Sequence, residues 1–102
     1  MQDSFAIGSA MWPGISKLIE EAGEVQQVCG KLLGTGGAEE HWDGSNLRTR
    51  LEDEIADLTA ACAFVRIHNK LDIDRIEARA KEKLRLFKQW HEEQTHADLH
   101  QR

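Results

Sequence analysis

Five carboxylates in two short runs carry the chemistry open to this chain. Glu20, Glu21 and Glu24 lie inside the stretch 18–27, and Glu54 and Asp57 inside 51–58. Both runs also hold apolar residues at helical spacing. At about 100° per residue, Lys17, Glu21, Glu24, Val28 and Lys31 fall on one strip of a helix, beside the Leu18–Ala22–Val25 face. Glu20 points further round, toward solvent. Glu54 and Asp57 share a strip with Arg50 and Ala61 and border the apolar line of Leu51, Ile55 and Leu58. Glu52 and Asp53 lie nearer the outer face.

Two antiparallel helices packed through those apolar lines bring Glu21, Glu24, Glu54 and Asp57 to the edge of a core. Four carboxylates there repel one another, and desolvation adds to the cost. They are then either neutralised by protons or hold a divalent cation. Grouped hard oxygen donors suit Mg²⁺, with Mn²⁺ as a substitute. Zinc is disfavoured, because the His and Cys residues do not fall at ligand spacing. For any one of these acids, a solvated place on an outer helix face is the plainer reading. The pairing of ExxE with ExxD, each beside an apolar line, is what favours a metal site.

The elements that must position these acids read as three helices. The first opens near Pro13, a residue suited to an initial turn. It carries Ile15, Leu18, Ala22, Val25, Cys29 and Leu32 and stops at the glycines of 34–37. The loop GTGGAEEHWDGSN follows, long for a compact domain. Ser45 or Asn46 caps a second helix, whose line is Leu47, Leu51, Ile55, Leu58, Cys62 and Val65. It ends near Asn69. Asp72 or Asp74 caps a third, with Ile73, Ile76, Ala80, Leu84, Phe87 and His91 along one side. Apolar periodicity then gives out, so residues 93–102 are expected to fray. Residues 1–12 show a weak pattern, with at most a short helical turn. The expected class is all-α.

A chain of 102 residues is expected to form one domain, 1–102, with its core over about 12–92. Three amphipathic helices make a thin core at this length. A four-helix core completed across a homodimer or homotetramer is therefore expected. The net charge of −5 disfavours nucleic acid as a partner, which calls for a basic face. No apolar run nears the roughly 18 residues of a membrane span, and no signal-peptide pattern opens the chain. A cytoplasmic protein without a membrane partner is expected. Cys29 and Cys62, far apart within apolar lines, read as reduced core residues.

The run Glu20-Glu21-Ala22-Gly23-Glu24, followed after a linker by Glu54-Ile55-Ala56-Asp57, resembles the EExxE…ExxD signature of the MazG-like all-α nucleoside triphosphate pyrophosphohydrolases. The preceding WPGISKLIEE and the run LEDEIADL are also similar, and the likeness covers about residues 12–92. It implies a helical bundle of that type and hydrolysis of an NTP or dNTP to the monophosphate and pyrophosphate. Water would attack the α-phosphorus with Mg²⁺ bound, which reconciles an acidic protein with an anionic substrate. By matching positions, Glu21, Glu24, Glu54 and Asp57 are the implied metal ligands. Glu20 is implied as a further ligand or as the residue that orients water.

Lys17, Lys31 and Arg50 are candidates to hold phosphate oxygens, although a surface salt bridge suits Arg50 better. Trp12 and Trp42 can each stack on a base, with core filling or a hydrophobic staple the competing role. Phe87 and Trp90 read as core, and His68 as a partly exposed histidine. The implied setting is nucleotide-pool control or removal of noncanonical nucleotides. Phosphoribosyl-ATP pyrophosphohydrolases share related acidic motifs and are the nearest alternative. A nonenzymatic helical interaction module, with every acid solvated, is the alternative of a different class.

Overall fold

The computed structural model describes residues 5–100, which form three helices: α1 (Ile15–Gly34), α2 (Leu47–His68) and α3 (Ile73–His100). Among the described residues there is no strand, and an isolated bridge between Glu40 and Asn46 is the β-type pairing there. The expected all-α class is the one observed. No helix is long and apolar enough to cross a membrane. The chain divides into two compact units, one ending at Leu71 and the other beginning at Asp72.

In the first unit the caps explain where the helices begin and end. Gly14 precedes α1 with φ of +91°, a left-handed conformation that disfavours any residue with a Cβ. At the other end, the Gly37 amide donates to the Leu32 carbonyl at 2.8 Å, with Gly36 and Gly37 both at positive φ. Asn46 caps α2 by accepting from the Thr49 amide at 2.9 Å. Residues 5–14 form turns rather than a helix. They are tied down by the Ser16 amide donating to the Phe5 carbonyl and by Asn69 Nδ2 donating to the Pro13 carbonyl at 3.0 Å.

The helices α1 and α2 run antiparallel: Gly14 lies against Phe64 and Val65, and Glu21 against Glu54 and Asp57. Their contact face differs from the expected one. The buried side chains are Glu21 and Val28 on α1, and Leu47, Ala61 and Val65 on α2. Glu21, Val28 and Ala61 belong to the strips that carry the acids, and Leu47 and Val65 to the expected apolar line of α2. The Leu18–Ala22–Val25 face is only half-buried, and Ile55 and Cys62 are exposed. Val28, Leu47, Ala61 and Val65 are the buried apolar side chains of the two helices, with Leu47 and Val28 fully enclosed. Cys29 and Cys62 are free, as expected, but both are exposed rather than in a core.

The second unit is α3. Asp72 caps it, its Oδ1 accepting from the Arg75 amide at 3.1 Å. The helix does not fray at residue 93 but continues to His100, and residues 101–102 lie outside the described residues. Side-chain pairs one turn apart take over where the apolar pattern ends. Gln89 donates to Glu93 at 2.8 Å, Gln94 to Asp98 at 2.9 Å, and Thr95 back to the His91 carbonyl. Phe87 and Trp90 make a tilted ring pair at 5.6 Å, and both are exposed instead of forming core.

Candidate metal centre

Antiparallel pairing places Glu21 of the EExxE run opposite ExxD. Glu21, Glu54 and Asp57 each offer a carboxylate oxygen, and these three atoms all lie within 4.8 Å of one another. Their burial is graded. Glu21 is 8 % exposed at the bottom, Glu54 is half-buried, and Asp57 stands at the open rim. The gradient follows from helical phase: Glu21 lies about two turns before the buried Val28 on the same strip, whereas Asp57 lies three residues beyond Glu54 and rotates outward.

The electrostatics are those of crowded like charges. Partial desolvation, then the charges of Glu24, Asp57 and Glu21, push the Glu54 carboxyl above the usual carboxylate range, with Arg50 pulling the other way. Glu24 is thus close enough to be felt at Glu54, yet it stands outside the three-oxygen group. The expected set of four ligands resolves into three acids that converge and one beside them.

Lys17 supplies the neighbouring positive charge. Its Nζ lies 3.3 Å from Glu21 Oε1 and 3.4 Å from Glu20 Oε2. The hydrogen bond to Glu21, followed by that to Glu20, holds the ammonium above the ordinary lysine range. Glu20 is exposed and faces Lys17 rather than the three converging acids. Lys31 is half-buried in the last turn of α1, and Arg50 half-buried one turn before Glu54.

Neither Trp12 nor Trp42 is placed as a core residue. Trp12 is half-exposed at a positive φ of 47°, and Trp42 is 89 % exposed in the α1–α2 loop. That loop has its own order. Asp43 Oδ1 accepts from the Ser45 hydroxyl at 2.6 Å and the Ser45 amide at 2.9 Å, which lowers the Asp43 carboxyl well below its usual range. Arg48 Nε closes the loop onto Glu39 at 2.6 Å.

A cleft of about 390 Å³ opens beside the acids, a volume within the range of small-molecule sites. Lys17, Glu21 and Asp57 form its charged side, and Ile7, Ala60 and Phe64 its apolar side. Phe64 was not singled out by the sequence pattern. The signal was present: Asp57, Ala61, Phe64 and His68 continue one strip of α2 at steps of four, three and four.

Three convergent carboxylates, one of them held above its normal proton affinity, fit a hard divalent cation of the Mg²⁺ or Mn²⁺ type. A cation would offset both the desolvation and the neighbouring negative charges that raise Glu54. The comparisons add no relative to this geometry: no family model, curated protein or solved structure matches the chain.

Proposed function

We propose that the chain is a Mg²⁺-dependent nucleoside triphosphate pyrophosphohydrolase of the MazG-like type, cleaving an NTP or dNTP to the monophosphate and pyrophosphate. The observation that carries this reading is the convergence of Glu21, Glu54 and Asp57 to within 4.8 Å at the wall of a cleft. A divalent ion bound there would offset triphosphate charge and make water a stronger nucleophile at neutral pH.

The chain's own residues divide the remaining work. Glu21, Glu54 and Asp57 would hold the ion, and the negative charge of Glu24, felt at Glu54, would strengthen that hold. Lys17, on the charged side of the cleft, restrains Glu21 in the metal-free state and offers an ammonium to a phosphate oxygen. Arg50 limits the repulsion felt at Glu54. Glu20 orients Lys17. A homodimer or homotetramer completes a four-helix core over the half-buried faces of α1 and α2, a reading supported by Ile19, Leu33 and Ile55, which stand exposed there.

Hydrolysis in ¹⁸O-labelled water with Mg²⁺ and a panel of NTPs and dNTPs tests the reaction. The label is expected in the nucleoside monophosphate, with pyrophosphate intact. Label in orthophosphate, with a diphosphate as first product, would overturn the assignment. Asp57→Asn and Glu54→Gln are expected to lose at least about a hundredfold in turnover, whereas Glu20→Gln keeps most of it.

A further inference from the structure

We infer that the apolar side of the cleft is a nucleobase subsite and that Phe64 is its stacking platform. This rests on the pyrophosphohydrolase reading for the triphosphate end of the ligand. The cleft lining is of two kinds: Lys17, Glu21 and Asp57 are charged, Ile7, Ala60 and Phe64 are apolar, and along α2 Phe64 stands about two turns from Asp57. A nucleotide has the same division, an anionic chain at one end and a flat, largely apolar ring at the other. At about 390 Å³ the space admits such a ring together with part of its sugar.

The Phe64 ring is fixed in place before any ligand arrives. On one side it stacks against His68, with centroids 4.1 Å apart and planes inclined by 26°. On another it closes over Gly14, where a Cβ would meet Phe64 Cδ1 at 2.7 Å. Gly14 is in turn held by its amide, which donates to the Ala6 carbonyl, and by the bond from Asn69 Nδ2 to the adjacent Pro13 carbonyl. A ring held in this way loses little side-chain freedom when a base stacks on it. Ala60 and Ala61 each contribute only a methyl group to the wall.

The test compares ligands with and without a base. The variants are Phe64→Ala and Phe64→Leu, the second retaining apolar volume without an aromatic face. The readouts are KM for the four dNTPs, inhibition by inorganic tripolyphosphate, Mn²⁺ affinity, and quenching of a 2-aminopurine deoxynucleoside triphosphate on binding. Loss of one stacked base predicts about a tenfold rise in KM for Phe64→Ala, with Phe64→Leu in between. Tripolyphosphate inhibition and Mn²⁺ affinity are expected to stay at wild-type values. Unchanged KM in both variants, or an equal loss toward tripolyphosphate, would overturn the base subsite. Wild-type protein that quenches the 2-aminopurine nucleotide in a Phe64-dependent way but releases no pyrophosphate would overturn the hydrolase reading and leave the subsite standing.

Discussion

Lys17 Nζ lies 3.3 Å from Glu21 Oε1, so the most buried acid of the cluster draws its counter-charge from one turn earlier on its own helix. Replacing Lys17 by Met keeps most of the stem and removes the charge. Metal-free Lys17→Met is expected to melt a few degrees below wild type, with Mn²⁺ restoring more of the loss than it adds to wild type. Thermal melts with and without Mn²⁺ measure both. Equal melting temperatures without metal would show that the pair contributes nothing to the fold.

Glu54 gives a pH dependence whose sign follows from its surroundings. Its folded-state carboxyl is raised above the ordinary 4.5, so the folded chain holds this proton more tightly than the unfolded chain. The contribution to stability is fully present below the ordinary value and is lost as pH rises through the raised one. Glu54→Gln removes that loss. The variant is therefore expected to equal wild type in acid and to exceed it at neutral pH without metal. Denaturation midpoints across pH 3–8, as a difference between the two proteins, check the direction.

Gly14 tests the backbone that holds the cleft. At φ of +91°, with Phe64 Cδ1 where a Cβ would stand 2.7 Å away, Ala is opposed by both torsion and space. Gly14→Ala is expected to cost at least about 1 to 2 kcal/mol in urea denaturation. Gly30→Ala, inside α1 with open space around the new Cβ, is expected to be neutral or stabilising instead.

The exposed line of α2 tests assembly. Ile55 is 49 % exposed, and on α1 Ile19 is 68 % and Leu33 83 % exposed. Sedimentation is expected to show a dimer or larger species at micromolar concentration, with Ile55→Glu shifting it toward monomer. A folded wild-type monomer under those conditions would remove the proposed four-helix core.

The local elements and their ends were determined by the sequence alone. Asn46 and Asp72 cap their helices because a short side chain with a free oxygen can satisfy an orphan amide, and Gly36 and Gly37 end α1 because they accept positive φ. The approach of Glu21 to Glu54 and Asp57 was also legible, since helical phase plus an antiparallel return leaves few other arrangements. The length of α3 beyond residue 93 was not, because apolar periodicity is blind to side-chain pairs such as Gln94 with Asp98.

Which face of each helix turns inward was decided only by the tertiary structure. The apolar lines suggested Leu18, Val25 and Ile55 along with Leu47 and Val65; of these Leu47 and Val65 are buried, and Val28 and Ala61, from the strips that carry the acids, join them. A hydrophobic line states that some surface should be covered without stating by what. What covers a given side chain depends on residues of the other helix, far apart in sequence. The same dependence explains Phe64: its strip was readable, but the cleft beside it is also lined by Gly14 and Ile7, from a segment that Asn69 ties to α2 through the Pro13 carbonyl.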